Sequence, residues 1–152
     1  MTSYERMVRE LAGAAGAEIR IGSDRVCEMA IGEVIVLLKP ADANEEALTL
    51  FAVVSDGDTG GATLKKALRL NLFGAGTLGA HLGLFASALI LSRDLPLAEL
   101  TAEDLAERIL AFAQQAEKIA QEFSSVGEEV EDAAKPGESG IPAPFAPGFL
   151  MA

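Results

Sequence analysis

The segment ALRLNLFGAGTLGAHLGLFASALILSRDLPLAELTAEDLAERILAFAQQAEKIAQEF (67–123) carries the clearest secondary-structure pattern of the chain. Its second half predicts a long amphipathic helix, because Thr101 and Asp104 match a capping box and apolar residues recur at alternating four- and three-residue steps from Leu105 to Phe123. Before this helix come two short apolar segments, 78–86 and 87–95, with strand character. Periodicity alone does not separate such runs from helix, so two strands are our expectation there.

The sequence upstream predicts two further helices around three strands. Leu64, Leu68 and Leu72, with cations between them, indicate a helix over 62–72. Strands are expected at RVCEMAI (25–31), EVIVLLK (33–39) and ALTLFAVV (47–54), separated by glycine and by a Pro-containing turn. Near the start, Ser3 is the expected cap of a first helix with apolar residues at three- and four-residue intervals.

These elements define an α+β fold: an antiparallel five-stranded sheet with three helices, in the order α-β-β-β-α-β-β-α. Because the second and third strands are apolar on both faces, we expect the sheet to be covered on both sides. We predict one domain over 1–123. Residues 124–152 are acidic and rich in Pro and Gly, which predicts a disordered tail.

Composition narrows the possible functions. The chain has 152 residues, a net charge of −11 and one cysteine, Cys27. The negative charge disfavours nucleic acid as a partner, and the longest weakly polar stretch is too interrupted for membrane insertion. A lone cysteine and a charged, weakly apolar N-terminus fit a cytoplasmic protein. Half of the residues are nevertheless apolar, which favours an oligomer or a protein-binding face.

Two motifs suggest chemistry, and we keep both as the alternative hypothesis of a small enzyme. Asp56 and Asp58, after a predicted strand, could bind magnesium for phosphoryl transfer, although Thr59 and Gly60 reverse the order of the haloacid dehalogenase signature. Gly74, Gly76 and Gly79 spell the glycine pattern of a nucleotide-binding loop, but the residues before them read as helix rather than strand. A polar turn and a glycine-rich turn are the simpler interpretations.

The remaining polar residues do not form a recognisable catalytic or metal site. His81 and Cys27 are the sole histidine and the sole cysteine, whereas zinc sites usually take three or four such ligands. No serine lies in a nucleophile-elbow sequence. We therefore predict no enzyme activity, no catalytic residues, no metal and no cofactor.

The segment 67–123 resembles the second half of the class I type III secretion chaperones, also called the Tir chaperone family. The likeness lies in the helix ending at Asn71, the glycine-rich turn with Gly79, the Leu-Pro-Leu turn at 95–97, and the last helix with Phe112 and Glu117. VCEMAIGEVIVLLKP (26–40) and ALTLFAVV (47–54) are similar to the family's earlier strands.

This resemblance implies a cytoplasmic homodimer that binds the N-terminal region of a secreted effector in extended form, without ATP. The expected partners are a second copy, the effector and components of the secretion apparatus. For the dimer interface we expect Leu64, Leu68, Leu72, Leu82 and Leu84. Candidates for effector binding or for the core are Met7, Leu11, Val26, Met29, Val34, Val36, Phe51 and Val53.

Overall fold

The structure is a computed structural model that describes residues 1–16, 19–56, 60–74 and 76–132, with 125–132 described only as helix. It contains the predicted order of three helices and five strands. The bounds are α1 (Ser3–Ala15), β1 (Cys27–Ile31), β2 (Val34–Pro40), β3 (Ala47–Ser55), α2 (Gly61–Asn71), β4 (His81–Phe85), β5 (Ala88–Pro96) and α3 (Ala102–Asp132). A short 3₁₀ helix, Leu72–Gly74, follows α2.

All neighbouring strands of the sheet are antiparallel, in the order β1-β2-β3-β5-β4. Hairpins join β1 to β2 and β4 to β5, and the crossover through α2 places β5 between β3 and β4. Gly32 makes the β1–β2 turn with a φ of 61°, a conformation that glycine adopts at little cost. The α+β prediction is confirmed.

The core lies between one face of the sheet and the helices α1 and α3. Strand alternation buries Leu48, Leu50 and Ala52 of β3, and α3 covers them with Leu105, Ile109 and Phe112. Tyr4 and Leu11 anchor α1 in the same core. The apolar residues of α3 recur at helical spacing, so α3 was the helix that the sequence predicted most clearly.

Three details differ from the sequence-based expectations. The N-cap of α1 is Thr2 rather than Ser3, in a capping box with Glu5. Within the part of the chain that the structure describes, the sheet is covered on one side only, because α1 and α3 lie on the same face. Helix α3 continues past Phe123 to Asp132, so 124–132 is helical rather than part of a tail. The rest of the predicted tail, 133–152, lies outside the described residues.

Candidate functional site

The uncovered face of the sheet is apolar along its middle. Ile35 and Val53 are each 50% exposed, and Phe85 at the β4–β5 turn is 74% exposed. Phe51 and Ile90 lie on the same face and are partly buried. Water-exposed apolar groups of this number on neighbouring strands are typical of a surface that binds another chain.

A cavity of 480 Å³ lies on this open face, lined by Phe51, Phe85 and Ile90 together with polar residues. The Lys39 ammonium lies 5.9 Å from the centre of the Phe51 ring, within the range of a cation–π contact. Beside it, the Thr49 hydroxyl donates a 2.6 Å hydrogen bond to Asp94. An apolar floor with a few polar groups at its rim suits a side chain of a bound peptide.

A second exposed apolar surface is formed by α2, the 3₁₀ helix and β4. We call it the α2–β4 surface, and its members are Leu64, Leu68, Leu72, Phe73, Leu78 and Leu84. Phe73 is 95% exposed and Leu68 is 70% exposed. Lys65 and Arg69 lie between the leucines of α2. Exposed apolar residues clustered in this way are typical of a surface that binds another chain.

The backbone is strained where the α2–β4 surface turns. Phe73 and Leu78 have φ values of 58° and 50°, in the left-handed region that bulky residues rarely adopt. Gly74 and Gly79 next to them also have positive φ. The turn therefore holds two large apolar side chains in solvent at a conformational cost.

The structure divides the predicted site residues into core and surface. Leu64, Leu68, Leu72 and Leu84 are exposed, whereas Leu82 is only 7% exposed and packs in the core. Among the predicted effector-binding residues, Met7, Leu11 and Val36 are buried in the core and cannot contact a partner in this conformation. Val53 is exposed, and the partly buried remainder consists of Val26, Met29, Val34 and Phe51.

Several apolar surface residues were not among those predicted from the sequence. Ile35, Phe85 and Ile90 belong to the open face, and Phe73 and Leu78 belong to the α2–β4 surface. The alternation of β2 and β5 could have placed Ile35 and Ile90 once one face was known to be buried. No local pattern marks Phe73 and Leu78, because their exposure depends on a turn with positive φ.

The buried polar groups of Tyr4 and Cys27 are structural. The Tyr4 hydroxyl oxygen lies 2.9 Å from the carbonyl oxygens of Arg25 and Leu38 and 3.2 Å from the Cys27 sulfur. Burial raises the pKa of both side chains, so the thiol is held in its unreactive protonated form. This arrangement ties α1 to β2.

The geometry does not favour the enzyme alternative. Asp56 is exposed after β3, while Asp58 lies outside the described residues. The glycines 74, 76 and 79 follow a helix and precede a strand, the reverse of the strand–loop–helix order that presents amides to a pyrophosphate. No three His, Cys, Asp or Glu residues within the described ranges are grouped so that they could hold a metal ion.

Among the described residues, none of the helices is both long enough and apolar enough to cross a membrane.

The fold agrees with the outcome of comparison with known proteins. The model of the Tir chaperone protein (CesT) family matches residues 6–120. The chain therefore belongs to the Tir chaperone family, as the resemblance of segment 67–123 indicated. No curated protein matches the chain significantly.

Solved structures with a similar fold include several complexes. One is the HopA1–SchA chaperone–effector complex, with 15% identity, a TM-score of 0.65, and coverage of 78% of this chain and 94% of that chain. Another is the ExsC–ExsE complex, with 21% identity, a TM-score of 0.67 and coverage of 80% and 96%. A third is the Yersinia pestis type III secretion chaperone SycH with a fragment of YscM2, with 21% identity, a TM-score of 0.59 and coverage of 76% and 98%. At these identities the likeness concerns the fold.

Proposed function

We propose that the chain is a non-enzymatic, cytoplasmic, homodimeric chaperone that binds the N-terminal region of a type III secreted effector. In this role it keeps the effector soluble and competent for secretion, and components of the secretion apparatus receive the complex. Residues 1–123 form the chaperone domain. The observation that carries the proposal is the presence of two separate apolar surfaces on a member of a chaperone family.

The α2–β4 surface is the proposed dimer interface. Leu68 and Phe73 are its most exposed apolar side chains in α2 and the 3₁₀ helix. Burial of each is worth about 1.5–3 kcal/mol, which also offsets the strain at Phe73. A twofold axis through this surface would let both copies bury the same residues against each other.

The open sheet face is the proposed effector surface. In a dimer joined through α2 and β4, the sheets of both protomers remain accessible, so one extended effector segment can contact both. Phe51, Phe85 and Val53 offer apolar contacts, and this mode requires no nucleotide. The net charge of −11 keeps the free dimer soluble despite its apolar surfaces.

Affinity purification from the native bacterium tests this function. The tagged full-length chain should recover one abundant secreted protein, and deletion of that protein's N-terminal region should abolish the recovery. A Val53→Asp variant should reduce recovery, while an Ala111→Asp variant, at an exposed position of α3, should not. Recovery of no secreted protein would contradict the proposal, as would strong thermal stabilisation by millimolar NAD or magnesium.

A further inference from the structure

The strands β2 and β3 are paired along only part of their length. Their register runs from Leu37 opposite Phe51 to Pro40 opposite Leu48. Beyond the Leu37–Phe51 pair, the two strands no longer pair with each other: Val34–Val36 pair with β1, and Ala52–Ser55 lie beside β5. A bulge between Val53 and Ser55 accompanies the change in β3. The two strands therefore separate toward one end of the sheet.

A groove of 690 Å³ lies where the strands separate, and α3 forms its other wall. Its apolar lining consists of Val34, Ile35, Leu37, Val53, Ala116 and Ala120. The two alanines matter because their small side chains leave space between α3 and the strands. This space is wide enough for apolar side chains of an extended segment.

The polar rim of the groove is acidic. Glu28 on β1, Glu33 at the β1–β2 turn and Glu117 on α3 all line it, while Gln121 and Ser124 are its uncharged members. No lysine or arginine is among the described residues that line it. Three carboxylates around an apolar floor disfavour an acidic peptide and attract a basic one.

We propose that this groove binds a segment of the effector in which apolar residues are flanked by Lys or Arg. The inference rests on the proposed function and adds the chemistry of the partner. Apolar side chains fill the space beside Ala116 and Ala120, and the flanking cations meet Glu28, Glu33 and Glu117. The chain's own C-terminal segment, IPAPFAPGFLMA (141–152), has no cation and lacks this complementarity.

Two matched peptides test the proposal on the full-length protein by fluorescence anisotropy. Both are labelled ten-residue probes with the same Val-Ile-Val centre, one flanked by lysines and the other by glutamates. Wild type should bind the lysine probe roughly tenfold more tightly at low ionic strength, and the preference should shrink in about 0.5 M salt.

Charge-matched variants separate the groove from the overall charge of the protein. The triple variant Glu28→Gln, Glu33→Gln, Glu117→Gln should lose most of the lysine preference. The control Glu10→Gln, Glu103→Gln, Glu107→Gln changes the net charge equally at exposed positions and should keep it. Ala120→Leu should weaken binding of the lysine probe by filling the groove, whereas Gln114→Leu, exposed on α3, should not.

The proposal is wrong if both peptides bind equally, if neither binds, or if the two triple variants behave alike. It is also wrong if the lysine probe binds only after removal of 133–152, because the C-terminal segment would then be the occupant. Effector recovery from the bacterium distinguishes a failure of the groove assignment from a failure of the proposed chaperone function. If the groove variants recover the effector as well as wild type does, the chaperone function stands and the groove assignment fails.

Discussion

Asn71 and Leu82 are joined by two hydrogen bonds between the end of α2 and the edge strand β4. The Asn71 amide donates to the Leu82 carbonyl oxygen at 2.9 Å, and its own oxygen accepts from the Leu82 N–H at 2.7 Å. The Asn71 side chain thus gives hydrogen-bond partners to the N–H and the carbonyl of Leu82, which lies on the edge strand of the sheet. It also fixes α2 against β4 and so sets the shape of the α2–β4 surface.

Replacement of Asn71 should destabilise this contact. Asn71→Ala leaves both main-chain groups of Leu82 without this partner, at a cost of about 1–3 kcal/mol in the free energy of unfolding. Asn71→Asp should cost at least as much, because a carboxylate cannot donate to the Leu82 carbonyl oxygen. Urea denaturation followed by circular dichroism measures both. Asn44→Asp, at an exposed turn, introduces the same charge and should be nearly neutral; equal effects at the two positions would refute the role of Asn71.

A charge on α2 should dissociate the proposed dimer. Leu68 is 70% exposed in a single chain, so Leu68→Asp should leave the fold intact while burying a carboxylate in the interface. Light scattering coupled to gel filtration at micromolar concentration should give a dimer for wild type and a monomer for the variant. Leu110→Asp is the control, because Leu110 is also exposed but lies on α3. A dimer for both variants would place the interface elsewhere.

Two substitutions of Phe73 separate the contribution of its ring to dimerisation from the cost of its backbone conformation. Phe73→Ala and Phe73→Gly both remove the ring and should weaken dimerisation similarly. Glycine adopts the φ of 58° at little cost, whereas alanine is strained there, so the glycine variant should be more stable by about 1 kcal/mol. Thermal unfolding at equal concentrations, together with light scattering, checks both statements. An alanine variant at least as stable as the glycine variant would show that the backbone is unstrained.

The sole tyrosine should resist ionisation while the protein is folded. Burial raises the pKa of Tyr4, so the folded state retains a proton that the unfolded chain loses near pH 10. Stability should therefore fall as the pH rises through this value, because the unfolded state then binds fewer protons than the folded state. Because Tyr4 is the only tyrosine, tyrosinate absorbance should increase together with unfolding.

Tyr4→Phe provides the control for this titration. It removes the ionisable hydroxyl but keeps the ring, so the loss of stability between about pH 9 and pH 11 should be shallower than in wild type. In this variant we expect a smaller decrease of stability with rising pH to remain, because burial also raises the pKa of Cys27. Ionisation of Tyr4 near pH 10 in the folded protein would contradict its buried position.

The sequence was sufficient for the elements whose pattern reflects burial. Leu105, Ile109 and Phe112 mark the buried stripe of α3, and the alternation in β3 marks its inner face. The sequence was insufficient where a strand is apolar on both faces. Val36 and Val53 are equally apolar, yet only Val36 is buried, because the helices cover one side of the sheet.

Which apolar residues are buried and which are exposed also depends on contacts between residues that are distant in sequence. Leu82 and Leu84 share one strand face by parity, but Leu82 is buried while Leu84, near the β4–β5 turn, stays exposed. The groove between β2 and β3 depends on where their pairing ends, which alternation does not specify. These features follow from tertiary packing rather than from local sequence.

We propose that a dimer of this chain binds one effector. The most direct test is native mass spectrometry of the complex recovered from the bacterium with the tagged full-length chain. We predict two copies of this chain with one secreted protein, bound through its N-terminal region. A recovered species containing a single copy of this chain, or no secreted protein, would contradict the proposed complex.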